Sequence, residues 1–180
     1  MRLTMDPGRV FYKSVMEDRD AKRVEMMGYD VSSEEFLVST GFSSCHALAL
    51  RDMKTGKCCL AHIMDASPKD VLEDIRWCGG DGSEYKGVAG EFDEPGNVKG
   101  LHIYHGKHNM LDKKGKPKLL RPETFNEAFA ERGFKDISHI PLYPDGYKFT
   151  QFGRDVMVDP KTATVYVFPR GESVYFSLPF

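Results

Sequence analysis

The feature that most limits the fold of this chain is a pair of apolar segments separated by a short polar turn. The segments HALALRD and KCCLAHIM flank the residues MKTG, a pattern typical of a β-hairpin. Cys45 directly precedes the first segment, and His62 lies near the end of the second. A turn centred between Met53 and Lys54 would place Cys45 opposite His62, with Cβ atoms about 4.5–5.5 Å apart on one face. The hairpin therefore predicts a thiol and an imidazole in contact.

Three further regions have strand-like patterns. EFLVSTGF and DISHIPLY are predicted strands, and GRDVMVDPKTATVYVFPRG is a predicted second hairpin around a Pro-Lys-Thr turn. KGVAGEF is predicted as a short strand, and the glycine- and lysine-containing region 97–118 is predicted to be mostly loop.

Two segments have helix signals. SPKDVLEDIRWCGG and RPETFNEAFAERG each carry a proline near the start and glycine at the end, which suits the first turn and the C-terminal cap of a helix. Strands interspersed with two helices predict an α/β fold. We expect a mixed, largely antiparallel β sandwich flanked by helices, as a single domain over residues 1–180.

Composition limits the classes of function. The chain has 180 residues and a formal net charge of −2, so no basic field predicts nucleic-acid binding. No apolar run reaches the length of about 18 residues that a membrane span needs. The start of the chain lacks the apolar core of a secretory signal. These features predict a cytoplasmic-type soluble protein, and export into a host cell by a machine that needs no such signal remains an alternative.

The cysteine and histidine patterns give little indication of metal binding. The four cysteines are Cys45, Cys58, Cys59 and Cys78. They contain no C-x-x-C pair, and two of them are adjacent, so we expect reduced thiols rather than a zinc site or a disulfide framework.

His102, His105 and His108 recur at three-residue intervals. Gly106 weakens a helix there and no glutamate accompanies the histidines, so a surface loop is favoured over a metal site.

Two interpretations of the Cys45–His62 pair stay open on pattern alone. A half-buried thiol beside an imidazole can form a thiolate–imidazolium pair, which supplies a nucleophile and a proton donor. Small residues in TGFSSC would let backbone N–H groups face a developing oxyanion at Cys45. Alternatively, the two residues only pack in a buried hairpin.

The segment TGFSSCHALALRDMKTGKCCLAHIM resembles the active-site hairpin of the chemoreceptor glutamine deamidase family CheD. It is also similar to the same region of the protein N-terminal asparagine amidohydrolases, and more distantly to deamidating toxins of the cytotoxic necrotizing factor group. VAGEFDE and GRDVMVDPKTATVYVF are similar to later segments of these families in the same order. The resemblance covers residues 36–168.

The resemblance implies a cysteine-dependent deamidase that hydrolyses the side-chain amide of Gln or Asn in a protein substrate through a thioester, without metal or cofactor. Cys45 would be the nucleophile, His62 its acid and base, and the backbone near Ser44 the oxyanion site. The family carries a threonine six residues before the cysteine. That position is Ser39 here, with Thr40 beside it as the alternative.

Other uses of the same residues remain as alternatives. A thiol protease or an acyltransferase uses the same dyad. A catalytically inactive descendant would instead bind partners through the lysine-rich segment 111–121, which is otherwise a solvated charge run. A freestanding chain of this kind would suit a bacterial effector acting on a host protein, whereas a chemotaxis role would suit CheD. The sequence assigns no oligomeric state.

Overall fold

A computed structural model describes residues 7–42, 45–63, 87–104, 107–111, 117–119, 126, 129–141, 154–169 and 175–180. Within these ranges the protein is mixed α/β and rich in strands, with two five-stranded sheets and one two-stranded sheet. Helix α1 (Pro7–Glu17) is followed by twelve strands, by the single-turn helix α2 (Gly87–Gly90) and by a 3₁₀ turn at Pro95–Asn97. The predicted helix over residues 67–80 lies outside the described residues.

Sheet I contains the first and the last strand of the described residues. Its order is β1-β3-β10-β11-β12, with β1 parallel to β3 and the other pairs antiparallel. The strands are β1 (Lys22–Arg23), β3 (Leu37–Phe42), β10 (Arg154–Asp159), β11 (Thr164–Pro169) and β12 (Phe176–Pro179).

Sheet II contains the first predicted hairpin at its centre. Its order is β2-β5-β4-β6-β9, antiparallel except for the parallel pair β6–β9. The strands are β2 (Tyr29–Ser32), β4 (His46–Asp52), β5 (Cys58–Ile63), β6 (Val98–Tyr104) and β9 (Asp136–Pro141), and a separate pair is formed by β7 (Lys107–Leu111) and β8 (Pro117–Leu119).

The two sheets share one buried apolar cluster. It joins Leu37, Val156 and Val158 of sheet I to Ala47 and Leu60 of sheet II. A fully buried aliphatic side chain contributes about 1.5–3 kcal/mol relative to an exposed one, so this cluster is a main source of stability. We call the faces that meet there the inner faces of the two sheets.

The outer faces are covered by other parts of the chain. On sheet I, Val15 of α1 packs with Val38, Met157 and Phe168. On sheet II, the segments around residues 88–92 and 129–134 pack against alternate residues of β4 and β5. Both sheets are therefore buried on two sides over much of their area, which explains why every residue of β5 and β10 is buried.

Several predicted elements are confirmed. The strand predicted in EFLVSTGF is β3, the strand in DISHIPLY is β9, and the second hairpin is β10–β11. The second predicted helix lies mostly outside the described residues, but its end does not. Gly133 has a φ of +86°, and the N–H groups of Gly133 and Phe134 donate to the carbonyls of Ala130 and Phe129, the pattern of a Schellman cap.

Two predictions about local structure are wrong. KGVAGEF contains the helical turn α2 instead of a strand, because Val88 and Phe92 lie four residues apart and are buried in the same cluster. Region 97–118 is not mostly loop, since it supplies β6, β7 and β8. Gly100, which favoured a loop, is a packing glycine: a Cβ there would collide with the side chains of Ile137 and Leu50.

Candidate functional site

The predicted pairing of Cys45 with His62 across the first hairpin is wrong. The structure pairs Ala47 with His62, and Cys45 directly precedes β4. The turn is centred one residue later than predicted because the Asp52 carboxylate accepts hydrogen bonds from the N–H groups of Lys54, at 2.8 Å, and of Thr55, at 3.3 Å. Gly56, with a φ of +76°, completes this longer turn.

The corrected register nevertheless keeps the thiol and the imidazole on one side of the sheet. Cys45 lies two residues before Ala47, and alternation along a strand returns to the same face after two residues. Ala47 belongs to the inner-face cluster, and half-buried Cys45 packs against that cluster. Cys45 and His62 are thus diagonal neighbours on one face, a relation in which Cα atoms lie about 7–8 Å apart.

His62 reaches from sheet II to sheet I, where Ser39 contacts it. The Ser39 Oγ lies 2.9 Å from His62 Nδ1 and donates its proton to the carbonyl of Val24 at 2.6 Å. Because the hydroxyl proton is used by that carbonyl, the contact to the ring requires an Nδ1–H that donates to Oγ. The neutral imidazole then carries its lone pair on Nε2, for which the described residues supply no hydrogen-bond partner.

Burial sets the charge of this imidazole. His62 is 3% exposed, and burial lowers its pKa to about 4. At neutral pH the ring is therefore neutral, which disfavours the thiolate–imidazolium pair as the resting state. Nε2 is instead a proton acceptor on the face that carries Cys45.

A β-bulge in β3 brings two residues to His62. Val156 pairs with Ser39 and Arg154 pairs with Phe42, so Thr40 and Gly41 together oppose the single residue between them on β10. Gly41 has a φ of +81°, a left-handed conformation that glycine adopts without steric cost.

The extra residue changes which side chains share a face. Ser39 and Phe42 are three residues apart, so without the bulge they would point to opposite sides of the sheet. With it, both contact His62: the Phe42 ring stacks on the imidazole with centroids 3.7 Å apart and planes inclined by 21°. Thr40 is exposed, so Ser39 is the residue of the two that meets His62.

The remaining predicted site residues are placed as follows. Ser44, the predicted oxyanion residue, and Cys78 lie outside the described residues. Cys58 and Cys59 are buried reduced thiols, and Cys45 is also reduced.

Two contributors near the site were missed by sequence reasoning. One is Phe42, which stacks on His62. The other is Asp155, the residue of β10 opposite the bulge. An isolated glycine inside the strand pattern, Gly41, was the available signal, since such a glycine is typical of a bulge.

A second histidine group lies on the outer face of sheet II. His46 Nδ1 is 2.8 Å from His102 Nε2, His102 Nδ1 is 2.8 Å from His139 Nδ1, and His139 Nε2 is 2.8 Å from Asn126 Oδ1. Burial, and next the neighbouring His46 and His139, hold the pKa of His102 well below its usual range. We call this row of side chains the histidine chain.

The surface loop favoured for His102, His105 and His108 is wrong at His102, which is buried in β6. His102 belongs to the histidine chain, and His105 lies outside the described residues. Among the residues that the structure describes, no group of three or more His, Cys, Asp or Glu side chains is arranged to hold a metal ion. In the same part of the chain, no helix is both long and apolar enough to cross a membrane.

Comparison with known proteins assigns no family. No protein-family model and no curated protein matches the chain. Among solved structures, the hypothetical protein YfiH of Bacillus licheniformis matches with a TM-score of 0.42 and 11% sequence identity, over 63% of this chain and 51% of that chain. The chain thus spans about half the length of YfiH, and at this level the likeness assigns neither a fold nor a function.

Proposed function

We propose that this chain is a cysteine-dependent deamidase that hydrolyses the side-chain amide of a glutamine or asparagine in a protein substrate. The observation that carries the proposal is the state of His62: neutral, with Nδ1–H held by Ser39 and with no described partner for Nε2. A base oriented by a third group, on the same face as a thiol, is the arrangement that activates cysteine nucleophiles. The resemblance to CheD adds the reaction class and a CheD-like sandwich as the fold.

The first half of the reaction forms a thioester and releases ammonia. His62 Nε2 accepts the proton of the Cys45 thiol as the sulfur attacks the carboxamide carbon, and the carbonyl oxygen becomes an oxyanion. The backbone N–H of Cys45 is a candidate donor to that oxyanion, together with the predicted donor at Ser44. The imidazolium then gives the proton to the amide nitrogen, the C–N bond breaks, and ammonia leaves.

The second half regenerates the thiol. Nε2 accepts a proton from water as the water oxygen attacks the thioester carbon, the C–S bond breaks, and the proton returns to the sulfur. Ser39 holds Nδ1–H throughout, and the Phe42 face, stacked on the ring at 3.7 Å, favours the imidazolium that forms transiently. The net change is one amide and one water converted to one carboxylic acid and one ammonia.

The proposed reaction is tested by incubating candidate protein substrates with the purified protein. Wild type should release ammonia and convert a Gln or Asn to the corresponding acid, as seen by peptide mass spectrometry. Cys45→Ala should do neither, whereas Cys58→Ala, which removes a buried thiol from the same hairpin, should retain the reaction. Full activity in Cys45→Ala would refute the mechanism.

The same experiment separates the alternative reactions. Peptide fragments would indicate a thiol protease, and amine adducts formed when a primary amine is added would indicate an acyltransferase. Within this proposal the substrate is a protein of a host cell and the chain is a bacterial effector. Neighbouring secretion genes would support that setting, and neighbouring chemotaxis genes would support a receptor substrate instead.

A further inference from the structure

The bulge that brings Ser39 and Phe42 to His62 is held from the opposite side of sheet I. Asp155 is the residue of β10 that faces the two bulge residues, and it is 1% exposed. Its Oδ1 accepts a hydrogen bond from the N–H of Gly41 at 2.9 Å. Its Oδ2 accepts one from the hydroxyl of Tyr12 in α1 at 2.6 Å. One buried carboxylate therefore joins α1 to the bulge.

The position of Asp155 follows from alternation along β10. Val156 and Val158 belong to the inner-face cluster, and Met157 belongs to the outer-face cluster beneath α1. Asp155 thus shares the outer face with Met157. There the Tyr12 ring packs edge-on against Phe168 with centroids 5.2 Å apart, which fixes the hydroxyl that meets the carboxylate.

The bulge needs such a partner. The extra residue of a bulge leaves the regular ladder, so its N–H has no cross-strand carbonyl. A carboxylate supplies a charge-assisted hydrogen bond, which is about twice as strong as a neutral one. A buried carboxylate in turn needs hydrogen-bond donors, and Gly41 and Tyr12 are two of them.

The bulge determines two contacts of His62 in the candidate site. The Ser39 side chain fixes the proton on His62 Nδ1, and the Phe42 ring covers one face of the imidazole. Loss of the bulge would move Ser39 and Phe42 out of phase, so they could no longer share the inner face. The residue that holds the bulge thereby controls both contacts.

We propose that Asp155 is a positioning residue: by holding the bulge at Thr40–Gly41, it keeps Ser39 and Phe42 in contact with His62. Its importance for catalysis rests on the proposed function, whereas its effect on His62 does not. Asp155 acts at a distance from the reacting atoms and through backbone geometry.

The test is a titration of His62 by imidazole nitrogen NMR, which reports both tautomer and pKa. Wild type should show the Nδ1–H tautomer and a pKa of about 4. In Asp155→Ala the pKa should rise by about one unit or more towards its ordinary value as water enters, and the tautomer should become mixed. Asp155→Asn should stay close to wild type, because its amide oxygen accepts from Gly41 and its amide nitrogen donates to Tyr12.

A matched control lies at the other end of the same strand. Asp159 is also buried, at 9% exposed, and accepts hydrogen bonds from the Lys161 N–H and the Thr162 hydroxyl in the β10–β11 turn. Asp159→Ala should lower stability without moving the His62 titration. An unchanged His62 in Asp155→Ala, or an equal change in Asp159→Ala, would overturn the proposal.

A milder variant decides the question if Asp155→Ala does not fold. Tyr12→Phe removes one hydroxyl from a half-buried ring, so the Asp155 carboxylate loses a donor that orients it towards the N–H of Gly41. The His62 pKa should rise by a smaller but measurable amount, and an unchanged pKa would overturn the proposal. The titration needs no substrate, so failure to find deamidation would not affect its result.

Discussion

The two faces of sheet II carry histidines in opposite states. On the outer face, both ring nitrogens of His102 are hydrogen-bonded, to His46 and to His139. On the inner face, His62 uses Nδ1 for Ser39, and its Nε2 has no partner among the described residues. Burial lowers the pKa of both His62 and His102. Burial therefore does not distinguish a chemical histidine from a structural one. His62 differs because its Nδ1 contacts Ser39 of the other sheet and because it lies on the face against which Cys45 packs.

The acceptor at the exposed end of the histidine chain determines which nitrogen of each ring carries the proton. With Asn126 Oδ1 as acceptor, His139 carries its proton on Nε2 and accepts at Nδ1. His102 then donates from Nδ1 and accepts at Nε2, and His46 donates from Nδ1. Three rings thus form one continuous row of hydrogen bonds across β4, β6 and β9, which favours a role in holding these strands together.

The largest expected effect is on activity and falls on the inner face. His62→Ala should lower deamidation by about 10²–10⁴-fold, the usual contribution of a positioned acid–base group. The measurement is the initial rate of ammonia release with the substrate found for wild type. An activity within a few-fold of wild type would remove the distinction between the two faces.

On the outer face, a substitution in the histidine chain should lower stability rather than activity. His102→Ala removes a ring that is fully buried and leaves nitrogens of His46 and His139 without this partner. We expect a loss of about 2–4 kcal/mol in the free energy of unfolding, measured by urea denaturation, with the specific activity of the folded protein retained. His139→Ala, at a half-buried position, should cost less, and the reverse order would argue against the histidine chain.

The free energy of unfolding should fall at acid pH because His62 takes up a proton more readily in the unfolded state. Its folded pKa, about 4, lies below the ordinary value, so the unfolded state binds the proton more readily. The stability linked to this residue is fully present above pH of about 6.5 and is lost as the pH falls towards 4, by up to about 3 kcal/mol. Denaturation midpoints between these pH values should show this slope in wild type and a shallower slope in His62→Gln.

The smallest expected effect separates Ser39 from Thr40. Ser39→Ala removes the acceptor for His62 Nδ1–H, and one such hydrogen bond corresponds to about tenfold in rate. Thr40→Ala, at an exposed position, should change the rate little. Rates measured side by side test the assignment, which fails if Thr40→Ala is the slower enzyme.

Local patterns were enough to predict several elements but not the hairpin register. β3, β9 and the β10–β11 hairpin follow from alternating or apolar segments bounded by turn residues. The centre of the first turn depends on the Asp52 side chain binding two backbone N–H groups. That choice between neighbouring turn geometries is not visible in an apolar pattern.

The sequence pattern also could not predict the contacts between the two sheets. The resemblance pointed to Ser39, but its contact with His62 depends on the packing of sheet I against sheet II. Phe42 and Asp155 matter because a bulge changes the phase of β3, an effect set by tertiary structure. The same limit explains β6, where Gly100 is present for close packing and not for a loop.

The most direct test of the central claim is the rate at which a thiol-reactive probe modifies Cys45 at neutral pH, followed by peptide mass spectrometry. If His62 Nε2 accepts the thiol proton, Cys45 should react faster than free cysteine and should slow in His62→Ala, while buried Cys58 and Cys59 stay slow in both. Labelling of Cys45 no faster than free cysteine, and unchanged in His62→Ala, would contradict the account and favour an inactive, partner-binding protein.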